Sequence, residues 1–203
     1  MADQITIINR ALTILGAEPI NSLADTTLEA NVANRVYGES RKSILAERLW
    51  TFATKRILLN QVVTPLAWTD RQMNFLYQLP SDIIRIFGVN QQRAIWRVEQ
   101  DKLLSDSDDI GIIYTFDMTD TTRFGAAMTD AFADKLAADM SFYVNNSKTA
   151  SSDLLAKYQG VSLPKAESED SQGQGTPQEI DDNLWVYAKY GFTPVNSMGR
   201  RIA

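Results

Sequence analysis

Apolar residues recur every three to four positions in several long stretches of the chain, and this spacing predicts helices. The first helix is expected to begin after Asp3, a residue type that caps helix N-termini, and to stop at Gly16. The second is expected to begin at Thr26, which forms a capping box with Glu29. It continues for about six turns and supplies a wide apolar stripe, which is typical of a helix that contacts more than one neighbour.

A third helix is predicted where an apolar residue recurs every fourth position and alanines occupy the other faces. Alanine favours helix and lets helix axes come close, so this helix is expected to be central to a bundle. A fourth helix is expected to start near Thr149 and to be interrupted or ended by Gly160 and Pro164. The apolar residues that recur in the third helix are Phe124, Met128, Phe132, Leu136 and Met140.

Between the second and third helices the pattern changes to short segments rich in β-branched and aromatic residues, which predict strands. At Trp50-Thr51-Phe52-Ala53 the chain passes into a segment of strand-like composition, and these four residues are interpreted as the junction from which a β domain begins. Trp50 is expected to pack into the corner of this junction, with Phe52 beside it. Strands are predicted at 74–79, 83–90, 94–98 and 110–116, with residues 91–93 as a hairpin turn between the second and third of them.

The residues after the fourth helix are polar and then aromatic. Residues 167–180 are low in apolar side chains and predict a flexible linker. The aromatic side chains that follow either fold back onto the domain or bind a partner, and both interpretations stay open. Two closing arginines are partner contacts, DNA-facing charges or, by default, a solubilising end. These C-terminal residues are Trp185, Tyr187, Tyr190, Phe192, Arg200 and Arg201.

Together the patterns predict an α+β fold, in which an antiparallel bundle of about four helices carries an inserted β-rich domain and an extended C-terminal arm. The predicted boundaries are 1–51 for the first part of the bundle, 52–118 for the β-rich domain, 119–166 for the second part of the bundle, 167–180 for the linker and 181–203 for the arm.

Composition narrows the classes of function. The 203 residues include no cysteine and no histidine, which excludes disulfides and thiolate metal sites and removes the commonest general base. We therefore expect no enzyme and no cofactor. A net charge of −5 argues against a surface that grips DNA. Apolar runs stay short of the roughly 18 residues that a membrane span needs, so no membrane partner is expected.

One acidic loop has a partial calcium-site pattern. Asp106, Asp108, Gly111 and Asp117 occupy positions 1, 3, 6 and 12 of such a loop. Position 5 is Ile110, and position 12 is an aspartate instead of the usual bidentate glutamate. The departures favour a solvated acidic turn, and no metal site is predicted.

Three aspartates of the third helix are candidates for paired carboxylates. They lie at the few polar positions of a mostly apolar helix. This placement favours a face exposed to solvent over a catalytic pair. These residues are Asp130, Asp134 and Asp139.

A series of short residue groups runs in a characteristic order through most of residues 5–166. They are Asn9-Arg10-Ala11-Leu12, Leu15-Gly16, Glu18-Pro19-Ile20, Ser22-Leu23, Ala30, Ala33, Tyr37, Arg41, Trp50-Thr51-Phe52-Ala53, Lys55-Arg56, Tyr77-Gln78-Leu79-Pro80-Ser81-Asp82, Ile113-Tyr114, Phe132, Leu136-Ala137-Ala138, Tyr158 and Ala166. Their joint order resembles the tail tubular protein A family of short-tailed bacteriophages, the adaptor ring between portal and tail. Each group is short and structural, so the resemblance rests on their order.

The resemblance implies a structural virion protein that assembles as a ring of twelve in the host cytoplasm. The ring docks below the portal protein, receives the tail nozzle protein (tubular protein B) and lines the channel for double-stranded DNA without reading its sequence. The C-terminal arm of this family reaches up to the portal. That implies portal binding by the aromatic residues of 181–203.

A second hypothesis comes from a different class of protein. The chain is then a cytoplasmic helical binding or regulatory module without enzymatic activity, and its C-terminal aromatic segment is a peptide ligand for a host protein. A stable ring distinguishes the adaptor from this module.

Overall fold

The structure is a computed structural model and describes residues 3–62, 73–91 and 93–172. Its strands lie in sequence between the second and third helices, and the predicted α+β class is confirmed. The elements are α1 (Gln4–Leu15), α2 (Leu28–Glu47), a 3₁₀ turn (Thr51–Ala53), β1 (Thr54–Leu58), β2 (Phe75–Gln78), β3 (Ile83–Val89), β4 (Trp96–Glu99), β5 (Lys102–Ser105), β6 (Gly111–Phe116), a second 3₁₀ turn (Thr121–Arg123), α3 (Ala126–Asn145), α4 (Lys148–Lys157), a π-helical turn (Tyr158–Ser162) and α5 (Leu163–Gln172).

Both ends of α1 follow the predicted signals. The Asp3 carboxylate accepts a hydrogen bond of 2.7 Å from the backbone N–H of Thr6. Gly16 ends the helix with φ of 69°, in the left-handed region that favours glycine. Asn9 then fixes the connector, because its amide donates to the carbonyl of Ile20 and accepts from the N–H of the same residue, at 2.9 and 2.8 Å.

Helix α2 begins one residue later than predicted. The side chain of Thr27, not that of Thr26, accepts from the backbone N–H of Ala30 at 3.2 Å. Either threonine can cap a helix, and the structure selects the second.

Helix α3 lies at the centre of the larger core. Helices α1, α2, α4 and α5 all pack against it. The five apolar residues of its predicted stripe are all buried, but only four of them belong to α3, because Phe124 follows the second 3₁₀ turn and precedes the helix. The ring of Tyr37 on α2 packs 5.2 Å from the ring of Phe132, measured between centroids. Alanines on the other faces of α3 allow this close approach from several sides.

The expectation of a solvated acidic face on α3 is wrong for Asp134. This residue is buried and accepts a hydrogen bond of 2.8 Å from Lys157 and another from the Ser162 hydroxyl. At Asp134 the polar side of α3 faces other helices instead of water, so this carboxylate finds its partners there. The other two are also bound, Asp139 to Ser40 and Asp130 to Arg10.

The strands form two antiparallel three-stranded sheets, with orders β1-β6-β3 and β2-β5-β4. The predicted hairpin between β3 and β4 is therefore wrong, because these two strands belong to different sheets. β4 instead pairs with β5, in the register Glu99 to Lys102. Gln100, with φ of 57°, lies in the turn between them.

Two strands, β1 and β5, were not individually predicted. β1 has the sequence TKRIL, whose consecutive cations obscure an alternating pattern. β5 is a short apolar pair between polar ends, and all but its first residue are buried. Strands this short carry little periodic signal.

The two sheets share a second, smaller core. Alternate residues of β6 point into it, so that the side chains of Ile112 and Tyr114 meet Tyr77 and Leu103 from the other sheet. We call β1 to β6 the β part, and the helices with their core the helical part.

Helices α4 and α5 form one continuous helical run that contains a π-helical turn. Gly160 lies within the turn and Pro164 near the start of α5, where a missing N–H is tolerated. The predicted flexible linker of 167–180 is wrong for its first six residues, which complete α5 through Gln172. Residues 173–180 of that prediction, and the arm at 181–203, lie outside the described residues. Among the described helices, none is both long and apolar enough to span a membrane.

Candidate functional site: the junction between helices and sheets

The chain leaves the helical part at Arg48–Ala53 and returns at residues 117–125. We call these two connections the junction. Trp50 and Phe52, the residues predicted for it, both lie here. The packing and hydrogen bonds of the junction determine how the β part is held on the helical part.

Trp50 closes the C-terminus of α2. Its side chain is fully buried, and its indole N–H donates a hydrogen bond of 3.0 Å to the carbonyl of Ile44. The last four carbonyls of a helix have no partner within the helix. Trp50 therefore supplies one missing donor while its ring fills the corner. The guanidinium of Arg48 lies over the ring, 5.5 Å from its centroid.

A chain of aromatic rings connects the junction to the helical core. Trp50 packs on Phe52, Phe52 on Phe124, and Phe124 on Phe132, with centroid distances of 5.9, 5.1 and 6.2 Å. Such tilted and edge-to-face pairs add to the free energy gained by burial. Both connections of the junction contribute to this chain, Phe52 from the outgoing and Phe124 from the returning one. The rings therefore tie the two connections to each other.

Side chains of the β part complete the end of α2. Arg85 of β3 donates a hydrogen bond of 2.9 Å to the carbonyl of Ala46, another carbonyl of the last turn. Arg41 of α2 binds Asp117 through two hydrogen bonds, of 3.0 and 2.9 Å. This forked pair is largely shielded from water, so it is stronger and more directional than a surface ion pair. Both interactions orient β3 and β6 relative to α2.

Helix α5 contacts both connections through two adjacent carboxylates. Glu169 accepts a hydrogen bond of 2.9 Å from the backbone N–H of Ala127, in the first turn of α3. Asp170 accepts from the backbone N–H of Thr51 at 3.1 Å and also binds the hydroxyl of that residue. Gly125 leaves room for this arrangement, because a methyl group there would push the Glu169 carboxylate aside.

Arg48 adds two hydrogen bonds from the end of α2 to α5. Its guanidinium donates to the carbonyl of Glu167 at 3.2 Å and to the hydroxyl of Ser171 at 3.3 Å. The sequence interpretation missed these contacts because the acidic residues after position 166 resembled a linker. One signal was present: Gly125, which precedes α3, has no side chain to cap the helix. When a helix has no capping side chain of its own, the unpaired backbone N–H groups of its first turn need acceptors from elsewhere in the chain.

Several carboxylates and tyrosines of the described residues make structural contacts, as Asp82 and Tyr158 show. Burial raises the pKa of Asp82, but hydrogen bonding and charge from Lys55, 2.5 Å away, outweigh it, so this pKa is lowered. Burial raises the pKa of Tyr158, and its hydrogen bond of 2.9 Å to Glu47 raises it further. These interactions hold elements together.

The partial calcium pattern does not form a site. The carboxylate of Asp106 accepts from the backbone N–H of Ile95 at 2.9 Å, while that of Asp117 binds Arg41. Across residues 3–62, 73–91 and 93–172, no group of three or more acidic side chains is arranged to hold a metal ion.

Two exposed surfaces rich in aromatic and apolar side chains lie outside the junction. The helix-end surface consists of Phe142 and Tyr143 at the end of α3 together with the cations Arg35 and Lys148. Arg35 lies over the ring of Tyr143 and Lys148 over that of Phe142, each 5.8 Å from the ring centroid. The β4 surface consists of Ile95, Trp96 and Val98. All four residues of β4, one of the two edge strands of its sheet, are exposed. Aromatic residues and arginine are enriched in protein interfaces, which makes both surfaces candidates for partner contacts.

The C-terminal residues predicted to bind a partner lie outside the described residues. They are Trp185, Tyr187, Tyr190, Phe192, Arg200 and Arg201.

Comparison with known proteins adds no family to this description. A scan against models of protein families and a search of curated protein sequences both give no match.

Proposed function

We propose that this chain is a structural, non-enzymatic adaptor of a phage virion, which joins the portal protein to the tail nozzle protein in a ring of twelve. The observation that carries the proposal is the presence of two exposed aromatic surfaces on two parts that a tightly bonded junction holds together. An adaptor needs separate contact surfaces in a fixed relation. The order of residue groups that resembles the tail tubular protein A family supports the same role.

The two surfaces lie on opposite sides of the junction along the chain. Helix α3 starts at the junction, and the helix-end surface lies 16 residues further on, which is about 24 Å along the helix axis. The β4 surface belongs to the β part, which starts from the same junction. Contacts at the end of α2 and the aromatic rings hold the two parts in one orientation. Each surface is therefore available to a different partner.

In this proposal the helices act as a bundle whose sides contact neighbouring copies, and residues 181–203 act as an arm that binds the portal. Twelve copies with a net charge of −5 each give a ring of about −60. Tight DNA binding requires many phosphate-neutralising contacts, which such a ring does not favour overall. Double-stranded DNA then passes the channel without being held.

Capture by the portal protein of the same virus tests the proposal. The full chain is mixed with portal rings, and the complex is sized and imaged. We expect a ring of twelve copies on the portal. Deletion of residues 181–203 is expected to weaken capture at least tenfold. Replacement of Arg200 and Arg201 by alanine serves as a control that keeps the aromatic residues.

Each outcome separates the hypotheses. Full capture by the deleted chain would refute the role of the arm but not that of the adaptor. Absence of any complex between the full chain and the portal would refute the adaptor and favour the cytoplasmic binding module.

A further inference from the structure

The two edges of the sheet β2-β5-β4 differ in what lies beside them. Along β2, residues 60–62 supply backbone partners. The N–H of Val62 donates to the carbonyl of Leu76 at 2.7 Å, and the N–H of Gln78 donates to the carbonyl of Asn60 at 3.3 Å. Along the outer side of β4, no strand is paired in the part of the chain that the structure describes. One edge of this sheet is therefore covered by the chain itself, and the edge at β4 is open.

The register shows which backbone groups of β4 point to this open edge. The N–H of Asp106 donates to the carbonyl of Ile95 at 3.2 Å, so these two residues form a hydrogen-bonded pair. In an antiparallel ladder such pairs alternate with pairs that exchange no backbone bond. The pairing continues from Trp96 and Ser105 without a shift. The backbone N–H and C=O groups of Trp96 and Val98 therefore point away from β5.

The side chains of β4 form an apolar and a charged face. Val98 is opposite Leu103, which is fully buried in the smaller core, and Trp96 lies on the same face because side chains alternate along a strand. On this face Trp96 is 36% and Val98 41% exposed. On the other face, Arg97 and Glu99 form an ion pair of 2.9 Å. A strand added at the edge would extend the apolar face with every second side chain.

Strand β4 has none of the features that keep edge strands from pairing, which are prolines, bulges and lysines. In the other sheet, the edge strand β3 has two register shifts, and the edge strand β1 carries Lys55 and Arg56. Strand β4 has the sequence WRVE and an unbroken register. Its edge is therefore suited to pairing with a further strand.

A second copy of β4 matches this edge poorly. The antiparallel register that bonds Trp96 of each copy to Val98 of the other places the two Arg97 side chains opposite each other, and like charges directly opposite are destabilising. The register centred on Val98 pairs Arg97 with Glu99. It then places Trp96 opposite Gln100, a turn residue with φ of 57°, so only the two Val98 residues exchange backbone bonds. A different strand, with an acidic residue opposite Arg97, fits better.

We propose that the outer edge of β4 binds an extended strand of a partner protein through backbone hydrogen bonds to Trp96 and Val98. Outward-pointing N–H and C=O groups of a strand are matched by another extended backbone. The side chains of β4 select an antiparallel strand with apolar residues opposite Trp96 and Val98 and an acidic residue opposite Arg97. In the adaptor this partner is the tail nozzle protein, and that identity rests on the proposed function. The open edge itself rests on the pairing of β4, so the two are tested separately.

A synthetic peptide tests the edge on the full chain alone. The peptide Thr-Lys-Val-Glu-Val-Thr carries the acidic residue between two apolar ones. At millimolar peptide, we expect the amide resonances of Trp96 and Val98 to shift more than those of Arg97 and Glu99. N-methylation of both valines, whose N–H groups face β4, is expected to weaken binding at least tenfold. N-methylation of the lysine and the glutamate, whose N–H groups point away, is the matched control and is expected to leave binding unchanged.

Two results of the peptide experiment would overturn the proposal. One is equal binding by the two methylated peptides, or no shift in β4 with the unmodified peptide. The other is a shift of the Trp96 and Val98 resonances with protein concentration alone, which would show that a second copy occupies the edge. Because the chain is unmodified in this experiment, neither result depends on whether a variant folds.

Capture of the nozzle protein by portal-bound rings tests the partner. Val98→Pro removes an N–H that points to the open edge, where proline is tolerated in a strand. Val98→Thr keeps this N–H and the β-branched shape. We expect Val98→Pro to capture the nozzle protein at least tenfold less than Val98→Thr, while urea unfolding shows that both are folded. Equal capture would overturn nozzle binding at this edge. No capture by the unmodified chain would instead refute the proposed function, and the peptide would then decide on the edge.

Discussion

Replacing Trp50 by alanine removes the side chain that closes the corner of the junction. The indole is fully buried, packs 5.9 Å from the ring of Phe52 and donates to the carbonyl of Ile44. Alanine therefore loses the ring contacts and the hydrogen bond together. It also leaves a cavity where the chain passes from α2 to β1.

The expected loss follows from these contacts. A buried aromatic side chain covers about 150–250 Å², which corresponds to about 4–6 kcal/mol at 25 cal/mol per Å². Measured replacements of buried aromatic residues by alanine cost about 3–5 kcal/mol. We therefore expect the free energy of unfolding to fall by about 4 kcal/mol. Trp50→Phe keeps most of the packing but loses the N–H, and is expected to cost about 1–2 kcal/mol.

Urea unfolding followed by far-ultraviolet circular dichroism measures both variants without relying on tryptophan fluorescence. For a chain of this size, a loss of 4 kcal/mol corresponds to a fall in Tm of about 8–16 °C. A loss below about 1 kcal/mol for Trp50→Ala would refute the burial of the indole at this corner. If Trp50→Phe were as unstable as Trp50→Ala, the hydrogen bond, and not the packing, would dominate.

Three further predictions concern other contacts. Gly125→Ala is expected to cost about 1–2 kcal/mol in the same urea assay, because the new methyl displaces the carboxylate that caps α3. In the control Gly38→Ala, open space surrounds the new methyl inside α2, and a gain of up to about 1 kcal/mol is expected; equal losses at both sites would contradict this reasoning. Arg41→Lys keeps the charge but not the fork to its aspartate, and a loss of about 1–3 kcal/mol is expected from thermal unfolding; an unchanged Tm would show that the fork is not needed. Burial raises the pKa of Tyr37 and Tyr114 from 10.0 to about 12, so their neutral forms are favoured by folding. Their contribution to stability is complete below pH 10 and is lost as the pH rises toward 12, which urea midpoints and tyrosinate absorbance measure; constant stability up to pH 12 would contradict it.

Interactions within a few residues explain which elements were predicted correctly. Asp3 caps α1 through a residue three positions away, and Gly16 ends it by its own backbone preference. The apolar repeat of α3 predicts its central position because most residues from Ala127 to Ser141 are buried against other elements. Such features can be predicted from the sequence because the groups that interact are neighbours in the chain.

Pairings between distant residues explain the errors. The sequence does not state whether β4 pairs with the strand before it or after it, and the tertiary structure decides for β5. Asp134 looked like a solvated residue until α4 and the π-helical turn supplied its two partners. A carboxylate has the same local appearance whether water or another helix faces it.

The sequence by itself determined the helices around α3, the α+β class and a corner at Trp50, because these depend on periodicity, capping and residue size. Only the tertiary structure decided what that corner is made of. It brings Glu169 and Asp170, more than a hundred residues after Trp50, onto both connections to the β part. Their composition suggested a linker, and their position made them the caps of α3 and of the entry to β1. The physical reason is that a missing helix cap is a local feature, whereas the group that supplies it can come from anywhere in the chain.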